Sequence, residues 1–208
     1  MGLEMIRNVR KEHLPLIVLT DDLHPGRDKK GFAKIFSKVF WAGIKFHQFG
    51  SFTHAMTCWR IDEEKGPMVK SQELTLRERP LADFLKGRHF VRIWYNPRWQ
   101  AETPEKVKAL EEKIRRELRL PWWRRLYDAP GILGQAVGLA KTLQVPWLDY
   151  CSESTGEDLE FLEPGSGLKH ADPREIDEWC IKNRGRKMYV FDQYDPNLVE
   201  LVERGAIA

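Results

Sequence analysis

A short segment, LPLIVLT at residues 14–20, limits the possible architectures more than any other part of the chain. Side chains of a strand alternate between two faces, and this run is apolar and β-branched before Asp21 and Asp22 close it, so it reads as a buried strand. A buried strand needs partners, and the sequence offers them. Residues 52–61 (FTHAMTCWRI) have strand composition, and residues 67–76 (PMVKSQELTL) alternate well enough to be their neighbour across the EEKG turn, giving a hairpin. Residues 90–95 (FVRIWY) make a further strand, reached through a short helical turn at 81–85, and residues 187–191 (KMYVF) make a last one after the basic turn NRGR.

Helical signals separate these strands. A turn at Pro25 and Gly26 leads to an amphipathic helix in which Ile35, Phe36, Val39, Phe40 and Ile44 recur at helical spacing, ending before Gly50. Thr103 as N-cap, Pro104 and Glu105 open a helix with Val107, Leu110, Ile114 and Leu118 along one stripe. PWWRR at 121–125 breaks that pattern, and residues 131–143 form another helix that Pro146 ends. Asp172, Pro173 and Glu175 are the N-cap, first-turn proline and capping-box glutamate of a helix running to about Lys182. The sum is an α+β fold, with a small antiparallel sheet packed against helices.

A chain of 208 residues, 42% hydrophobic and 31% charged, can bury a core, and no repeat or long linker divides it, so residues 1–208 read as a single domain. The net charge is 34 − 31 = +3, which demands no nucleic acid, anionic membrane or acidic substrate. No apolar run reaches the roughly 18 residues of a membrane helix. The start MGLEMIRNVRKEH develops neither a signal-peptide core nor a myristoylation pattern, so a cytoplasmic protein is the expectation. The histidines at 13, 24, 47, 89 and 170 have no metal-ligand spacing, and GSG at 165–167 lacks a Walker lysine or dinucleotide pattern, so neither metal nor cofactor is expected.

Three cysteines cannot all pair with one another, so at least one of Cys58, Cys151 and Cys180 is a thiol. Cys58 and Cys180 read as core. Cys151, in LDYCSE, lies where a turn gives way to residues suited to a helix N-terminus, a setting that favours a thiolate and can hold an oxyanion. A cysteine nucleophile needs an imidazole to take its proton, and His54 lies in a strand between small and polar residues.

THA in an early hairpin strand, then SQELTLRERPLADFL, then YDAPGILG, then YCSE, in that order, resembles the circularly permuted NlpC-type, papain-like cysteine hydrolases. In that group the histidine strand precedes the cysteine helix. The resemblance spans residues 14–180 and implies a papain-like fold in permuted order, with Cys151 as nucleophile and His54 as general base and acid. A polar residue after the histidine strand would orient the imidazole, here Gln72 or Glu73, with alternation favouring Gln72. Tyr127 and Asp128 match the family's YD pair and would fix the loop near the cysteine.

The implied substrate is an amide of a peptide, peptidoglycan first, or an acyl group of a lipid, and the sequence resembles phage-encoded members. Two features depart from the family. Gly156, Pro164, Gly165 and Gly167 follow Cys151 closely, so its helix is expected to be short or irregular, and PWWRRLYDAP is an insertion whose Trp122 and Trp123 either line a substrate groove or, as aromatic pairs more often do, cover the core. The competing reading is a binding or structural module without catalysis; acidic residues interleaved among the basic clusters argue against nucleic acid.

Overall fold

The structure is a computed structural model that describes residues 8–22, 52, 54–72, 75–85, 89–125 and 151–194. The expected helix of residues 32–44, the turn at Pro25 and the helix of residues 131–143 lie outside these. The architecture is α+β, built on a six-stranded antiparallel sheet: β1 (Leu16–Asp22), β2 (His54–Asp62), β3 (Gly66–Gln72), β4 (Leu76–Pro80), β5 (His89–Tyr95) and β6 (Tyr189–Tyr194), in spatial order β4-β3-β2-β1-β5-β6. The described helices are α1 (Ala82–Leu85), α2 (Pro97–Glu102), α3 (Pro104–Leu118), α4 (Cys151–Leu162) and α5 (Pro173–Lys182).

The apolar run near the start does what its composition demands. β1 sits inside the sheet, paired with β2 on one side (Thr20↔His54 through Leu16↔Cys58) and with β5 on the other (Leu16↔Tyr95 through Asp22↔His89). Its residues split by alternation: Ile17 and Leu19 join one buried cluster with Trp94, Val107, Ile114, Leu159 and Ile176, beneath α3, α4 and α5. Leu16 and Val18 join the other with Met56, Cys58, Val69, Ile93, Leu81 and Phe84. Each such side chain, fully withdrawn from water, contributes on the order of 1.5–3 kcal/mol. A charge at Val18 would break that face.

The hairpin turn is fixed locally. Asp62 Oδ1 accepts from the backbone N–H of Glu64 (3.2 Å) and Lys65 (3.1 Å), and Gly66 takes φ 73°, which a side chain would disfavour. A bulge between Cys58 and Arg60 shifts the β2–β3 register. β3 does not continue to residue 76 as its alternation suggests: the chain reverses, and Gln72 pairs with Leu76, Met68 with Pro80. No Gly, Pro or Asn marks this reversal.

α3 carries the expected buried stripe of Val107, Leu110 and Ile114, but Thr103 caps it without its side chain. Its hydroxyl instead donates back to Trp99 O (3.1 Å), because α2, capped by Asn96, abuts α3 directly. The Asp172–Glu175 capping box of α5 forms with both bonds at 2.8 Å. Asp177 then ties that helix to the sheet, accepting from Arg92 (2.6 Å) and the Trp94 indole (2.9 Å).

The helix that begins at Cys151 is neither short nor irregular. It runs twelve residues, and Gly156 lies inside it. An added Cβ at Gly156 would stand 2.0 Å from Leu168 O, so this glycine is required by close packing rather than by chain flexibility. Pro164, Gly165 and Gly167 come after the helix, where Glu160 accepts from the N–H of Gly165 and Gly167 (both 2.8 Å) and from the Ser166 hydroxyl (2.7 Å). The Ser166 hydroxyl and these N–H groups hold the Glu160 carboxyl below its ordinary range.

Candidate active site

Cys151 is the first residue of α4, where backbone N–H groups have no intrahelical partner and the helix dipole favours an anion. Its side chain lies outside the described residues. The direction of α4 follows from two sets of contacts. Glu163, just past its C-terminus, accepts from Asn96 (3.2 Å) and Trp99 (2.8 Å), beyond the end of β5. Asp158 accepts from Thr57 in mid-β2 (2.7 Å). The helix therefore points its N-terminus toward the end of the sheet at which β2 begins. Cys151 comes about two turns before Asp158 on the helix and His54 three residues before Thr57 on the strand, so both lie toward the end of the sheet at which β2 begins.

His54 is buried at the start of β2. Its Nε2 lies 3.0 Å from Ser71 Oγ, and its ring stacks with Phe84 at 6.3 Å between centroids. Both partners belong to the sheet face of Met56 and Cys58, opposite the face on which α4 packs. Gln72, expected to orient His54, lies on the α4 face, since Thr57 pairs with Lys70 and Gln72 follows Lys70 by two. Its side chain donates to Arg125 O (3.1 Å). Glu73, Tyr127 and Asp128 lie outside the described residues. The structure thus brings His54 to Ser71, a residue that alternation could have supplied, and does not bring it to Gln72.

Beneath α4 lies a group that the sequence does not announce. Lys70, 1% exposed, meets Asp158, 0% exposed, at 2.6 Å; it also reaches Glu117 (3.1 Å) and the carbonyl of Ser154 in the first turn of α4 (3.2 Å). Lys113 joins Asp158 at 2.9 Å and Glu117 at 2.6 Å. Burial alone would raise the Asp158 carboxyl, but the Lys70 and Lys113 charges outweigh it and hold the group below its ordinary range. Burial acts to lower the Lys113 ammonium, and the carboxylates of Asp158 and Glu117 raise it on balance. Near the same helix start, His170 Nδ1 bonds Glu153 Oε1 closely.

Cys58 and Cys180 are buried, and burial pushes both thiols well above the ordinary range, which makes them poor nucleophiles. Trp122 and Trp123 do not cover the core: they are 62% and 55% exposed. A 3-10 turn at Trp122–Arg125 follows α3 with no apolar face to bury, so the indoles stand in solvent. Among the described residues no cluster could hold a metal ion, and no helix is long and apolar enough to cross a membrane. No protein-family model and no curated protein matches the chain.

Proposed function

We propose that the chain is a cysteine hydrolase with a papain-like domain in permuted order, acting on an amide through a Cys151 thioester. The observation that carries this reading is that Cys151, first residue of a full twelve-residue helix, and His54, first residue of the strand on which that helix packs, both lie toward the same end of the sheet. Ser71 occupies Nε2, so the thiol proton would be received at Nδ1 of the tautomer in which Nε2–H donates to the Ser71 hydroxyl. Cys151 Sγ attacks the carbonyl, backbone N–H groups at the start of α4 face the oxyanion, and His54 returns the proton to the leaving amine. Water then cleaves the thioester. A peptide amide, with peptidoglycan stems first, is the favoured substrate class, and a lipid acyl ester is the second.

A binding or structural module is the competing reading, and one observation favours it. The His54 imidazole lies across the sheet from the α4 face, as a structural histidine bonded to Ser71 would. Alkylation by iodoacetamide across pH, with mass mapping, separates the two. A hydrolase gives labelling at Cys151 well below the pH of an ordinary thiol, shifted by His54→Ala, with Cys58 and Cys180 unlabelled until the chain unfolds. Cys151 labelling that follows an unperturbed thiol, indifferent to His54→Ala, overturns the proposal in favour of a module.

A further inference from the structure

The C-terminal end of α3 and the turn after it form a surface unlike the rest of that helix. Glu117 points inward to Lys70 and Lys113, and the outer side carries Arg115, Arg116, Arg119 and Arg124, with Glu112 one turn back, all exposed. Among the described residues Arg116, Arg119 and Arg124 have no ion pair; Arg115 has a loose one to Glu111 at 3.9 Å and lies over the ring of the buried Trp59 at 5.4 Å, so the free cations are the other three. Beside these cations stand Trp122 and Trp123, more than half exposed, edge to face at 6.1 Å between centroids and 84° between planes. The turn is not loose. Gln72 donates to Arg125 O, and the Arg125 guanidinium donates to Leu76 O at 3.2 Å, so β3 and β4 anchor the C-terminal end of the turn that carries the indoles.

Exposed indoles expose apolar area at a cost unless something covers them, and surrounding guanidinium groups select an anionic partner. We propose that this surface docks on an anionic lipid bilayer, with Trp122 and Trp123 entering the headgroup layer and the arginines contacting lipid phosphates. Indole rings settle at that depth because one edge is apolar and the N–H is polar, and each cation near an anionic surface adds an increment of attraction. A nucleic-acid strand fits less well: successive bases stack on rings presented flat, and an edge-to-face pair offers no such platform. The proposal stands apart from the hydrolase reading, since docking requires neither Cys151 nor His54.

Co-sedimentation of the full chain with vesicles of phosphatidylcholine, with and without phosphatidylglycerol, tests it. The expected result is association with phosphatidylglycerol vesicles that high salt abolishes. Trp122→Ala with Trp123→Ala should weaken it by about tenfold or more, and Arg119→Glu with Arg124→Glu by at least about fivefold, with thermal melting unchanged because these side chains are exposed. Absence of association with the anionic vesicles overturns the proposal, as does association that both double variants leave intact. Preferential binding of a single-stranded oligonucleotide that displaces the vesicles and depends on the two tryptophans overturns it in favour of a nucleic-acid surface.

Discussion

Asp158→Asn tests the buried ion group most directly, because it removes one charge while keeping the volume. In the native chain Asp158 is 0% exposed and takes Lys70 at 2.6 Å, Lys113 at 2.9 Å and the Thr57 hydroxyl at 2.7 Å. Without it Lys70, 1% exposed, is left with Glu117 and the Ser154 carbonyl as its partners. Breaking a buried pair by removing one partner costs about 3–5 kcal/mol, because the remaining charge stays desolvated. For a chain of this size each kcal/mol moves the midpoint by about 2–4 °C, so a fall of about 6–20 °C is expected. The pH dependence has a definite sign. The folded carboxyl titrates below the unfolded one, so its contribution is complete above about pH 4 and is lost as pH falls through the folded value. Urea unfolding of both proteins between neutral and acidic pH checks both parts: the native chain should lose stability in that acid window, and the variant should lose less. The pair Lys70→Met with Asp158→Leu should recover most of the loss. A cost under about 1 kcal/mol for Asp158→Asn, with unchanged acid dependence, would show the group to be hydrated and refute the reasoning.

Two further outcomes follow from single residues. Gly156→Ala should destabilise by about 1–3 kcal/mol in urea unfolding, although alanine favours helices, because the new Cβ meets the Leu168 carbonyl; a stabilised variant would show that the segment after α4 yields freely. Ser71→Ala should slow alkylation at Cys151 and shift its pH profile, while Gln72→Ala should leave both unchanged; the opposite pattern would assign the orienting role to Gln72.

The elements that were legible in the sequence are those whose local chemistry agrees with their tertiary setting. LPLIVLT is apolar on both faces and is buried on both; Asp172 and Glu175 cap α5 as a pair; EEKG turns between β2 and β3. The β3–β4 reversal was hidden because it uses no turn-forming residue, and α4 because Gly156 reads as a breaker when its role is close approach to another segment. Lys70 in a strand reads as a wet residue; only the fold brings Asp158 to it from 88 residues away (158 − 70). Of the candidate site, what was legible is where its residues lie, Cys151 at a helix start and His54 in a strand. The neighbour of the His54 ring was not, because a register difference of one residue moves Gln72 to the far face and leaves Ser71 beside His54.

The position of β1 bears on how the chain is made. The strand that comes first in sequence is held between β2 and β5, and its two partners follow at different times. On a ribosome that delivers the chain from its N-terminus, residues 16–22 emerge with both hydrogen-bonding edges open and with apolar side chains on both faces. The β2 edge can close once residue 62 is out, but the β5 edge waits until residue 95, and the helices α4 and α5 that roof one face arrive only after residue 150. Throughout that interval the apolar side chains of β1 lack the neighbours that bury them in the folded chain, which leaves the strand open to mispairing.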